Sequence, residues 1–82
     1  MVWRYGSGHT ETGTVIEWSP GPKGPSSGVI SGDDGEIYAA SEDRLHDSAD
    51  LPQMTKGVRV AFVPGRPEDG EKHIAKSIEI LP

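Results

Sequence analysis

The sequence predicts a small all-β domain, a barrel of five short antiparallel strands. The chain has 82 residues, which suits one domain with a single small core. Its 11 glycines and 7 prolines, with only 33% hydrophobic residues, are typical of frequent turns rather than of long helices. Short runs of β-branched or alternating apolar residues recur between those turns, as expected for strands.

Three strands are predicted in the N-terminal half. Thr12 to Trp18 is rich in β-branched residues and forms the first strand. Segment 19–26 contains three prolines, which remove backbone donors, so it is a loop. Ser27 to Ser31 and Glu36 to Ala40 are the second and third strands, and Asp33-Asp34-Gly35 predicts an Asp-Gly turn between them.

Two further strands follow a long polar connection. That connection opens with a helical turn or a loop at Ser41-Glu42-Asp43, where the serine can cap and the acids suit a helix N-terminus. In the fourth strand Val58, Val60 and Phe62 alternate with Arg59, Ala61 and Val63, and 64–70 is a second Pro/Gly loop. Lys72 to Leu81 is the fifth strand, with a break in its apolar parity that predicts a bulge or a barrel bend near Ala75.

This pattern fits an OB-like barrel that comprises residues 12–82. A small SH3-like barrel fits the pattern almost as well. Residues 1–11 are interpreted as an N-terminal extension, in which Trp3 and Tyr5 lie either on a short edge strand or in a disordered tail.

Composition excludes several classes of function. The chain has no cysteine, which removes disulfides, thiolate catalysis and Cys-based zinc sites. It has no apolar run long enough to span a membrane and no secretion signal, so a cytoplasmic location is expected. Its net charge of −5 lowers the expected affinity for nucleic acid without excluding it.

Catalytic and metal sites are not expected either. His9, His46 and His73 lie in different segments without ligand spacing, so no metal or other cofactor is predicted. A barrel this small leaves little room for a pocket that holds a shifted carboxylate, so the chain is not expected to be an enzyme.

The order of motifs along the chain resembles that of the cold-shock domain family. The resemblance covers Thr12 to Leu81 and implies an OB fold that binds single-stranded nucleic acid. Its core positions remain apolar at Val15, Ile30, Ile37, Val60, Phe62 and Ile78. The motifs that carry it are Gly13-Thr14-Val15 with Trp18, Lys23-Gly24, Gly28-Val29-Ile30, Asp33-Asp34-Gly35, Glu36 to Ser41, Lys56 to Phe62, and Ala75 with Ile78 and Leu81.

The departures from the family concentrate on its aromatic binding face. In the family, exposed aromatic residues of the second and third strands stack on bases. The second-strand positions are Ser27 and Val29 here, and the third-strand positions are Tyr38, Ala40 and Ser41. Each lost ring removes about 1–3 kcal/mol of stacking per base, so the resemblance implies weak binding.

The expected function is therefore weak, sequence-tolerant binding of single-stranded DNA or RNA. Trp18 and Tyr38 would stack on bases, and Lys23, Arg59 and Lys72 would neutralise phosphates. The alternative is a degenerate module that contacts a protein partner or a second copy of itself without binding nucleic acid, with Trp3, Tyr5 and Trp18 as anchors. The full set of expected nucleic-acid-binding residues is Trp18, Lys23, Ser27, Val29, Tyr38, Arg59 and Lys72.

Overall fold

Five antiparallel strands form one sheet that curls into a half-barrel in the computed structural model, which describes residues 10–21 and 24–82. This confirms the predicted small all-β, OB-like barrel. Trp3 and Tyr5 lie outside the described residues. No helix in the described ranges is long and apolar enough to cross a membrane.

The strands are β1 (Glu11–Ser19), β2 (Ser27–Gly32), β3 (Ile37–Ser41), β4 (Arg59–Pro64) and β5 (Ala75–Ile80), and short 3₁₀ turns occupy Glu42–Arg44, Ser48–Gln53 and Pro67–Asp69.

The strand order is β3-β2-β1-β4-β5. β4 returns across the domain to pair with β1 and not with β3, which is the Greek-key connection typical of an OB barrel. The outer edges of β3 and β5 then meet at a seam. There the Ala39 N–H donates to the His73 carbonyl at 2.8 Å, and Ala39 bridges Ile74 in parallel.

The β2–β3 hairpin has a three-residue loop. The Gly35 N–H donates to the Gly32 carbonyl at 3.0 Å, the Gly32 N–H donates to the Glu36 carbonyl at 2.8 Å, and Gly35 has φ +90°. This is a turn followed by a glycine bulge, in which only glycine adopts the required φ without strain. The loop pairs Ile30 with Tyr38.

That register reverses the expected faces of β3. A two-residue Asp-Gly turn would point Ile37 into the core and leave Tyr38 exposed, as the sequence resemblance implied. Because one extra loop residue shifts the pairing by one, every side chain changes face. Tyr38 is only 5% exposed and Ile37 is 51% exposed, so both expectations are wrong.

The core contains the other apolar positions expected from the sequence. Five of them are fully buried: Val15, Ile30, Val60, Phe62 and Ile78. The inward turn of β3 adds Tyr38, whose ring packs edge-on against Phe62 with 4.7 Å between centroids. Such aromatic pairs add about 0.5–1.5 kcal/mol beyond the area that they bury.

Two bulges adjust the strands to this core. The register of β1 shifts between Val15 and Glu17, which leaves Ile16 exposed. The bulge expected near Ala75 is present in β5 and lies at Ser77, which has φ +50°. It allows Ala75 and Ile78, three residues apart, both to be fully buried.

Candidate functional site

The two residues expected to stack on bases do not lie on the outer face of the sheet. Ser27 and Val29 point outward from β2, because they alternate with the buried Ile30. Trp18 and Tyr38 lie on the opposite, core-facing side. The expected stacking residues and the expected binding face are therefore separated by the thickness of the sheet.

Tyr38 is fixed in the core by the hairpin loop. Its hydroxyl donates to Asp34 Oδ2 at 2.6 Å. Burial, followed by the bond to Asp34, raises the pKa of Tyr38 above its usual range. The same hydroxyl, together with the Glu36 N–H, lowers the pKa of Asp34. A neutral, hydrogen-bonded tyrosine in the core does not offer its ring to a base.

Trp18 is held at one end of the barrel. Its Nε1–H donates to Ser26 Oγ at 3.1 Å, and its ring packs against the core. The ring also lies on Gly28, where an added Cβ would sit 2.5 Å from Trp18 Cε3. Trp18 therefore has a defined orientation and remains half-buried.

Ser26 and Glu42 clamp the β1–β2 loop to the end of β3. Glu42 Oε1 accepts from the Ser26 N–H at 2.6 Å and from its hydroxyl at 3.1 Å. The Glu42 N–H donates back to the Ser26 carbonyl at 2.9 Å. Ser26 is 7% exposed, so these bonds satisfy a buried polar side chain.

An open cleft lies beside this clamp. Its volume is about 280 Å³. The Trp18 ring, Leu51 and Pro20 give it an apolar wall, and the Glu42 carboxylate gives it one charge. The residues that line the cleft are Trp18, Pro20, Gly21, Gly24, Ser26, Glu42 and Leu51.

A row of apolar side chains crosses the outer face of the sheet. Val29 pairs with Ala39, and Ala39 bridges Ile74 across the seam. Paired residues share a face, so the three side chains lie side by side from β2 to the residue that precedes β5. Ile37 lies two residues from Ala39 on the same face. We call Val29, Ile37, Ala39 and Ile74 the outer apolar row.

The outer apolar row has polar neighbours and no aromatic one among the described residues. Glu17 lies opposite Val29. Ser31 lies opposite Ile37. The three aromatic rings in residues 10–21 and 24–82 all pack into or against the core: Trp18, Tyr38 and Phe62.

Arg59 already holds a carboxylate. Its guanidinium donates two bonds to Asp33, at 2.9 and 2.7 Å, and a third to Thr14 Oγ1 at 3.0 Å. Thr12 Oγ1 donates to the same carboxylate at 2.5 Å. The Arg59 and Thr12 donors hold the pKa of Asp33 far below its usual range. Three of the five guanidinium N–H donors are thus engaged, and the Asp33 carboxylate offsets the charge that Arg59 would offer to a phosphate.

Other cations near the seam are also paired. Glu71 accepts from Lys76 at 2.9 Å and from Arg44 at 3.3 Å, and these contacts lower its pKa, with Lys76 the main cause. Lys72 is exposed in the β4–β5 connection and makes no ion pair with another described residue. Lys23 lies outside the described residues. Of the two expected phosphate contacts that the structure describes, Lys72 is exposed and Arg59 is paired with Asp33.

The described ranges contain no cluster of metal-ligating side chains. No group of three or more His, Cys, Asp or Glu side chains there is placed to hold an ion. His73 instead meets Glu36, with 2.8 Å between Nε2 and Oε1, and His46 lies on another segment.

The residues that form the outer apolar row and the clamp beside the cleft are not all evident from the sequence. The contribution of Ile37 and Ala39 to the outer face depends on the hairpin loop, and a three-residue loop was readable as one option at Asp33-Asp34-Gly35. The clamp between Ser26 and Glu42 joins residues 16 positions apart and leaves no local sequence signal.

No protein-family model matches the chain, and comparisons with curated proteins and with solved structures find no match either. The likeness to the cold-shock family therefore rests on the order of motifs in this sequence alone.

Proposed function

We propose that this barrel is a protein-contact module of the cytoplasm, and that its outer apolar row docks a partner protein. The observation that carries the proposal is the exposure of Ile37 and Ala39 in that row, beside the half-buried Val29 and Ile74. Ile37 is 51% exposed, although it is one of the larger apolar residues of the chain. Contiguous exposed apolar side chains with a polar rim are typical of protein interaction sites.

The balance of stacking energy favours this proposal over nucleic-acid binding. Stacking contributes about 1–3 kcal/mol per base, and a platform needs rings on the binding face. Tyr38 is in the core and Trp18 is on the far side of the sheet. Small side chains such as Val29 and Ala39 suit contact with a complementary apolar surface instead.

Charge favours a neutral or cationic partner. The net charge is −5, and Arg59 is neutralised by Asp33. Nucleic-acid affinity comes largely from lysine and arginine side chains that release counterions from phosphates. A protein surface that carries positive charge would be attracted by the same field that repels a phosphate backbone.

Site-specific photocrosslinking tests the proposal. A photoreactive amino acid replaces Ser31, beside the row, and in a second protein replaces Asp69 in the distant 3₁₀ turn. We expect a discrete protein adduct in cells from position 31 and none from position 69. The adduct should be lost with Ile37→Asp and retained with Gln53→Asp, which places the same charge away from the row. Equal adducts from both positions, or none from position 31, would contradict the proposal.

Single-stranded nucleic acid remains the second candidate, favoured by one observation. In OB barrels the face of strands 2 and 3 is the usual oligonucleotide surface, and here Ile37 and Ala39 on that face are exposed, as is Lys72 in the β4–β5 connection. Fluorescence anisotropy with labelled oligo-dT and oligo-rU at low salt tests it. Micromolar binding that weakens steeply with salt and is reduced by Lys72→Ala would favour this candidate, and no binding at high micromolar protein would remove it.

A further inference from the structure

We infer that the cleft beside Trp18 and Glu42 binds the ammonium group of a lysine side chain presented by a protein ligand. This inference rests on the proposed function only in that the ligand is a protein, since the cleft and the outer apolar row lie on opposite sides of the sheet. The chemistry of the cleft can be tested without that partner.

The cleft has the size of a side-chain site. Its volume of about 280 Å³ is below the range of roughly 300–1,000 Å³ that is typical of small-molecule and cofactor pockets. One wall is the Trp18 ring, and Leu51 lies on the same lining. Such a cleft accommodates the methylene stem of one long side chain together with its polar end.

Trp18 is arranged in advance for this role. Its N–H is already bonded to Ser26, and Gly28 lies against the ring, so no reorientation is needed when a ligand enters. The face of an indole is electron-rich and attracts cations, by about 0.5–1 kcal/mol at exposed sites and more where water is excluded.

Glu42 selects a charged group. Oε1 accepts both Ser26 donors, and Oε2 has no donor among the described residues. A carboxylate accepts hydrogen bonds and donates none, so the group that complements Oε2 is a donor, and a positively charged donor forms the stronger bond. The net charge of −5 attracts the same sign of ligand.

The occupied oxygen also discriminates between lysine and arginine. Arginine binds a carboxylate best through two parallel bonds, one to each oxygen. Because Ser26 already takes Oε1, Glu42 presents one oxygen only. A lysine ammonium, which acts as a compact point charge, matches a single acceptor.

NMR titration tests the inference directly. Nα-acetyl-lysine methylamide is added to ¹⁵N-labelled protein while the Trp18 indole N–H resonance is followed, and Nα-acetyl-norleucine methylamide serves as the neutral probe. We expect the lysine probe to bind more tightly than the norleucine probe, by about fivefold to tenfold. Equal binding of the two probes would overturn the inference.

Two matched variants sharpen the test. Glu42→Gln keeps an oxygen for Ser26 and removes the charge, so it should reduce lysine binding to the norleucine level. Glu79→Gln removes an exposed charge elsewhere and should change little. An unaltered lysine affinity in Glu42→Gln would contradict the inference. A large gain in lysine affinity in Lys23→Gln would also contradict the inference, because the chain's own Lys23 would then be the ligand of the cleft.

The outcomes separate this inference from the proposed function. Lysine-selective binding without a crosslink from position 31 would retain the cleft as a cation site and reject the outer apolar row as a docking surface. A crosslink from position 31 without lysine selectivity would retain the docking surface and reject the cleft.

Discussion

Ile30 and Tyr38 lie opposite each other across the β2–β3 hairpin, and both side chains are buried in the core. This pairing decides which side chains β3 presents to solvent. With Tyr38 turned inward, β3 presents Ile37 and Ala39 to solvent and no aromatic ring of its own. The hairpin loop thus determines whether the barrel offers a base-stacking surface or an apolar one.

Truncation of Tyr38 should be costly, whereas truncation of Ile37 should not. Tyr38→Ala removes a buried ring that packs on Phe62, so we expect a loss of about 3–5 kcal/mol in the free energy of unfolding. Ile37→Ala changes an exposed side chain and should stay within about 0.5 kcal/mol. Urea unfolding measures both, and a larger loss for Ile37→Ala than for Tyr38→Ala would contradict the register.

The adjacent serines Ser26 and Ser27 should respond differently to alanine. Ser26→Ala leaves the Trp18 N–H without its acceptor and removes a donor to Glu42, which should cost about 1–3 kcal/mol. Ser27→Ala, on the exposed side of β2, should cost no more than about 0.5 kcal/mol. Chemical denaturation followed by tryptophan fluorescence compares them. Similar stabilities of the two variants would show that the clamp does not stabilise the fold.

Gly28 should not tolerate a side chain. A Cβ there would lie 2.2 Å from the Glu17 carbonyl oxygen and 2.5 Å from Trp18 Cε3, so the backbone of β1 has to move. We expect Gly28→Ala to lower stability by about 1–3 kcal/mol and to shift the Trp18 emission. Gly24→Ala meets nothing within 4 Å and serves as the control, with a neutral or slightly stabilising effect. Unchanged emission and stability in Gly28→Ala would argue against this position of Trp18.

The pairing of Asp33 with Arg59 should make stability depend on acid pH. The Arg59 and Thr12 donors lower the pKa of Asp33 in the folded state, so the unfolded chain takes up this proton first as the pH falls. The contribution is complete above the unfolded pKa of about 4 and is lost as the pH falls towards the folded value.

Asp33→Asn should therefore have a lower urea midpoint than the native chain at pH 7. The difference should shrink steadily below about pH 4. Asp69→Asn, an exposed aspartate in the 3₁₀ turn without a side-chain partner among the described residues, is the matched control. A difference that is constant, or that widens in acid, would show that the pair does not act as described.

The strands and most of the core follow from local pattern. The β-branched run at Thr12 to Trp18 falls within β1, and the alternation through Val60 and Phe62 places both residues in the core. The sequence pattern left an OB-like and an SH3-like barrel as alternatives, and the pairing of β4 with β1 is OB-like. Period-two alternation identifies strands because each strand buries one face.

The site could not be read from the same pattern, because it depends on loop geometry and on pairs distant in sequence. Asp33-Asp34-Gly35 is compatible with a two-residue or a three-residue loop, and that single residue reverses the faces of β3. Arg59 was expected to meet phosphate and instead meets Asp33, 26 positions away. That contact forms because the β1–β4 and β1–β2 pairings bring the two residues together, which composition alone does not reveal.

Solution NMR of the β2–β3 hairpin tests the central claim most directly. The structure predicts an Hα–Hα contact between Val29 and Ala39, which form a directly opposed pair, and ring-to-ring contacts between Tyr38 and Phe62, whose centroids are 4.7 Å apart. Pairing of Ile30 with Ala39, together with a Tyr38 ring that makes no contact with Phe62, would contradict it. That result would place the tyrosine ring on the outer face and favour nucleic acid over protein as the ligand.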